Sequence, residues 1–75
     1  MRYFLHMIRI EEIQERLRNA IKSGGTVQKE IAENLQINPS TVSKYIRLDK
    51  YPSLDTFANL CKIIDVPSDD ILGLR

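Results

Sequence analysis

The stretch VQKEIAENLQINPSTVSKYI, Val27 to Ile46, sets the constraint that the rest of the chain has to satisfy. It holds two short apolar-periodic segments separated by only about three residues. Val27, Ile31 and Leu35 recur at i, i+4 and i+8, one face of a helix. Asn38-Pro39 then signals a restart. An asparagine side chain accepts from the free amides that open a helix, and proline suits the first helical position, where its missing N–H costs nothing. The helix that follows turns Val42, Tyr45 and Ile46 inward and leaves Ser40, Thr41, Ser43, Lys44 and Arg47 on or near its outer side. Two helices joined so closely must cross steeply, and the small Ala32 lets their backbones approach.

The flanks read as further helices. Upstream, Ile10, Ile13, Leu17 and Ile21 keep helical spacing, with Glu11 and Glu12 near the start and Lys22 at the end, where the helix dipole favours each sign. Ser23-Gly24-Gly25 stops this helix, Gly24 being suited to a left-handed residue just past the terminus. Thr26 offers an N-cap to the second helix. Downstream of a linker, Leu48 to Pro52, Ser53 can cap a fourth helix with Leu54, Phe57, Leu60, Cys61 and Ile64 inward. A last turn follows Val66-Pro67, with Asp69 and Asp70 at its start and Ile71 and Leu72 facing the core. Strand-like alternation is confined to Arg2–Ile8. The fold class is therefore all-α, with five helices.

Composition narrows what such a fold can do. At 75 residues the chain is one domain with a thermodynamically marginal core, too small for a pocket enzyme. With 43% hydrophobic and 28% charged residues it is an ordinary globular chain. The single cysteine, Cys61, excludes an internal disulfide and fits a reducing cytoplasm; it lies on an apolar helix face and reads as a small buried hydrophobe. The opening MRYFLHMIRI is too short and too charged to span a bilayer and lacks a signal cleavage site. His6 has no second ligand or base at a recognisable spacing, and no catalytic, phosphate-loop or zinc motif appears. We expect no enzyme activity, cofactor, metal, membrane partner or small-molecule substrate.

The net charge of +1 is low for a nucleic-acid binder, but its distribution is uneven. Lys44, Arg47 and Lys50 face only Asp49 in the middle of the chain, whereas Lys62 faces Asp55, Asp65, Asp69 and Asp70 further on. Helix-turn-helix geometry puts that basic middle to use. The first helix of the pair lies across the phosphate backbone and the N-terminal residues of the second enter the major groove. Ser40, Thr41, Ser43 and Lys44 are the base-reading candidates: the hydroxyls approach base edges, and Lys44 donates to guanine O6 or N7. Gln28 can give a phosphate its side-chain amide and its backbone N–H, while Arg47, Lys50 and Tyr51 can reach phosphates from the end of the helix and the linker.

From about Ile13 to Leu72 the chain resembles the Cro and phage-repressor type of helix-turn-helix domain, also called lambda-repressor-like. VQKEIA matches the opening of the family's second helix, INPSTVSKYI its recognition helix, and YPSLDTFANLCKIIDVPSDDIL its fourth and fifth. The resemblance implies a compact five-helix DNA-binding domain, commonly a homodimer on a near-palindromic operator. It assigns base reading to Pro39, Ser40, Ser43 and Lys44, and phosphate contact to Gln28. Gln36 replaces the usual turn glycine, so a side chain is expected at positive φ, and Leu48 stands where a terminating glycine is common. Residues 1–7 read as an N-terminal extension, either of little order or a short arm docking on a partner subunit through Tyr3, Phe4 and Leu5; residues 8–75 form the domain. The function expected is a sequence-specific regulator of transcription on double-stranded DNA. It would dimerise through helices four and five and the tail ILGLR. The alternative is a protein-interaction module of the same fold, an antitoxin or adaptor, with weak or no DNA binding.

Overall fold

The computed structural model describes residues 7–74, and five helices account for most of them. They are α1 (Ile10–Ser23), α2 (Gln28–Leu35), α3 (Pro39–Ile46), α4 (Leu54–Ile64) and α5 (Ser68–Leu72). No strand occurs among the described residues. The arm proposed for Tyr3–Leu5 and most of the alternating segment fall outside them. No described helix is long and apolar enough to cross a membrane.

Each helix contributes one stripe to a common core. Leu17 and Ile21 of α1, Ile31 and Ala32 of α2, Val42 of α3, Phe57, Leu60, Cys61 and Ile64 of α4, and Ile71 of α5 form a single buried cluster. Ile31, Val42 and Leu60 are wholly inaccessible, a burial that stabilises by roughly 1.5–3 kcal/mol per side chain. α2 packs on α3 and α4, and α1 on α3 and α5, so α3 is held from two sides. Burial also pushes the Cys61 thiol up from its ordinary pKa, as suits a packing residue.

The helix ends show where local sequence logic holds. Asn38 caps α3 as expected, its side chain accepting from the Ser40 N–H at 2.9 Å, with Pro39 opening the helix. At α1, the Arg9 N–H donates to Glu12 Oε1 at 3.4 Å. Gln36 takes the left-handed conformation foreseen for it, with φ 58°. Beyond it the Ile37 N–H reaches back to the Ala32 carbonyl at 3.0 Å, closing α2 and aiming the chain into α3. Leu48 does the same after α3 and Asp65 after α4, with the Asp49 and Val66 amides donating to the Lys44 and Cys61 carbonyls.

Four expectations need correction. Gly24 is not left-handed: it is extended, with φ −78° and ψ 166°, and its N–H donates to the Ala20 carbonyl. Thr26 is not the cap of α2. Val27 holds that position in extended geometry with no side-chain cap, and its carbonyl accepts the first helical bond from Ile31. Ser53 sits at the N-cap of α4 but its hydroxyl goes to Asp55 Oδ1 at 2.6 Å, and it is Asp55 Oδ1 that accepts a backbone amide, that of Thr56. These bonds, the one from Ser53 first, hold the Asp55 carboxyl below its ordinary pKa. Leu54 is not inward. It is 85% exposed, although its spacing to Phe57 and Cys61 keeps it on the apolar stripe.

Candidate nucleic-acid interface

The α3 helix is anchored by its inward side and presents its N-terminal half to the exterior. Val42 and Tyr45 are buried, and desolvation of the Tyr45 phenol raises its pKa. Pro39, Ser40 and Lys44 are exposed, while Thr41 and Ser43 are half-buried at the sides of the helix. The Ser40 amide is committed to Asn38, which leaves the Ser40 hydroxyl without an intramolecular partner among the described residues.

Gln28, the first residue of α2, is joined to α3 directly. The Ser43 hydroxyl donates to Gln28 Oε1 at 3.0 Å, a bond between side chains fifteen positions apart. The turn made by Gln36 and Ile37 brings the two together, so the phosphate candidate and one base-reading candidate form a unit. Lys29, next to Gln28 and exposed, adds a cation at the start of α2 that the sequence reading passed over.

The other phosphate candidates lie apart from this unit. Arg47 Nε donates to Asp49 Oδ2 at 3.0 Å, both side chains being more than half exposed. Such a pair is screened by solvent and adds little stability, but it partly neutralises the Arg47 charge. Lys50 has an exposed side chain on a fixed backbone: its carbonyl accepts from Gln14 Nε2 at 3.1 Å. Tyr51 is exposed and lines a small apolar cavity of about 120 Å³ with Ile10, Ile13, Leu54 and Phe57, on the α1–α4 side.

Gln14 is a residue that sequence reasoning missed. It is 5% exposed, a polar side chain between Ile10 and Leu17 on the inward stripe of α1, and it holds the linker that follows α3. A glutamine on an apolar stripe was the available signal, since a buried amide has to find a partner. Arg16 acts similarly at the far end, its Nε donating to the Ile71 carbonyl at 2.7 Å and tying α5 to α1.

A helix-turn-helix family profile matches residues 17–71, from α1 into α5, and so covers both members of the α2–α3 pair and the elements that support them. The chain belongs to the helix-turn-helix family of Cro and phage-repressor type. Members of this family are DNA-binding domains of transcription regulators. Over 59 residues the chain is 37% identical to the HTH-type transcriptional regulator ImmR of Bacillus subtilis (strain 168). That alignment takes in 79% of this chain and 46% of the relative, so the chain spans a little under half of that protein's length.

Proposed function

We propose that the chain is a sequence-specific regulator of transcription, Cro-like or of the phage-repressor kind, that reads the major groove of double-stranded DNA with the N-terminal half of α3. One observation carries this reading: α3 is fixed on its inner side by Val42 and Tyr45 while Pro39, Ser40 and Lys44 stand clear of the chain's own surface. A rigid helix that shows short hydroxyls and one long cation suits a groove lined with donors and acceptors. Gln28 and Lys29 at the start of α2, with Lys50 on the linker, supply phosphate contacts that fix the register.

The working form is a homodimer. A net charge of +1 gives one copy a weak electrostatic hold on DNA, and a second copy doubles the phosphate contacts. The surface for that pairing lies on the α4–α5 side, where Leu54 and Leu74 are exposed and a groove of about 690 Å³ is lined by Leu54, Phe57, Cys61, Val66 and Leu72 together with the polar Lys62 and Asp65. Two copies related by a two-fold axis bind two half-sites one helical turn apart.

Selection of bound oligonucleotides from a random pool tests the proposal. The expected result is a two-fold symmetric consensus, bound with an affinity that falls steeply as salt rises. Failure to enrich any sequence, or affinity indifferent to salt, would refute it.

A further inference from the structure

A serine hydroxyl carries one proton and two lone pairs. In this protein the proton of Ser43 is already used, given to Gln28 Oε1 at 3.0 Å. We propose that Ser43 therefore meets DNA as an acceptor only, selecting a base-edge amino group (adenine N6 or cytosine N4) and rejecting the carbonyl that guanine or thymine places at the same point. This rests on the reading of α3 as the groove-entering helix and adds a polarity to one of its contacts.

The same bond sorts the other partner. With Oε1 engaged by Ser43, Gln28 turns both amide hydrogens away from α3, which is the end an approaching phosphate needs. Were the amide reversed, Gln28 would show its oxygen to an anion. Were Ser43 to give its proton to a base, Oε1 would lose its donor beside the phosphate backbone. DNA binding thus reinforces the polarity present in the free protein, and the phosphate contact of Gln28 and the base contact of Ser43 become two ends of one hydrogen-bonded unit.

The neighbours sharpen the assignment. Lys44 can only donate, so it favours guanine O6 and N7. Ser40 keeps its hydroxyl free among the described residues, its amide alone being tied to Asn38, and it can meet a donor or an acceptor. Ser40 and Ser43 are the same residue type on the same helix, yet Ser40 is permissive and Ser43 selective.

The test is oligonucleotide selection with the 75-residue chain as it stands, wild type beside Ser43→Ala, Ser43→Thr and Gln28→Ala. All three changes fall on side chains at the surface or half-buried, and thermal melting verifies that each variant is folded. In the wild-type consensus one position per half-site should carry adenine over guanine, or cytosine over thymine, by about tenfold. Ser43→Ala should erase that preference and leave the others; Ser43→Thr, which keeps a hydroxyl, should retain it. Gln28→Ala should release the serine proton, admit guanine or thymine at that position, and lower affinity evenly for all sequences. A wild-type consensus that Ser43→Ala leaves unchanged, or a Ser43-dependent position that prefers guanine or thymine, overturns this inference while the groove reading stands. Absence of any consensus overturns both.

Discussion

At the α2–α3 corner polar groups predominate and several are held: Asn38 caps the helix, Gln36 turns the backbone, and Ser43 is bonded to Gln28, with Val27 the large apolar side chain exposed beside them. On the α1–α4–α5 side large apolar groups, Ile10, Tyr51, Leu54 and Leu74, stand exposed among charged ones. Both sides flank the same core, so the contrast is not one of folding quality. Ordering a polar surface in advance lowers the entropy lost when it meets a patterned partner such as a base edge. An uncovered apolar surface needs no pattern; it gains by being removed from water. Under the function proposed above, the first side suits nucleic acid and the second suits protein.

The largest expected effect breaks the comparison at the polar side. Lys44→Glu reverses the only cation on the outer face of α3 and should weaken DNA binding by about a hundredfold, with self-association unchanged. Fluorescence anisotropy on a selected site measures the first, and sedimentation the second. Loss of both together would mean that the two sides are not separate.

Next in size is a change at the apolar side. Leu54→Lys should weaken self-association about tenfold, seen as a shift of sedimentation coefficient with concentration. Because the side chain is already in water, folding stability should move by less than about 0.5 kcal/mol. A monomer–dimer equilibrium that ignores this change would send the dimer surface elsewhere.

The smallest effect sharpens the backbone part of the contrast. A side chain at left-handed φ costs about 1–2 kcal/mol, and glycine gives back roughly 0.5–1 kcal/mol of that through its freer unfolded chain. Gln36→Gly should therefore stabilise by about 0.5 kcal/mol in a thermal melt. A loss of stability instead would show that the Gln36 side chain contributes to the turn beyond its backbone.

The sequence made legible whatever is decided within a few residues. Asn38-Pro39 opened a helix because cap and first-turn chemistry are local, and the inward stripes of α1 to α4 followed from spacing except at the leading positions Ile10, Val27 and Leu54, which are exposed. Positive φ at Gln36 was foreseen from the family resemblance, whose usual residue at that point of the turn is glycine. Of the candidate site, the outward placement of Ser40, Lys44 and Arg47 followed from the same periodicity that buried Val42.

What stayed hidden depended on partners far along the chain. Gln14 meets the Lys50 carbonyl thirty-six positions away, and no local pattern names that partner. Periodicity placed Leu54 on the right stripe, but where a neighbouring element stops covering the stripe is a tertiary fact. The α1 terminus inverted its local signal. Gly24 stays extended, whereas Leu48 and Asp65 turn left-handed. Ser43 and Gln28 were each singled out, but their bond exists only once two helices cross.

Gln14 has a mechanical consequence for the stretch after α3. Its grip on the Lys50 carbonyl makes that point a fixed pivot, so the ammonium sweeps an arc set by the torsions of its own stem while the peptide beneath stays put. Shortening the stem by substitution would contract the arc without moving its centre.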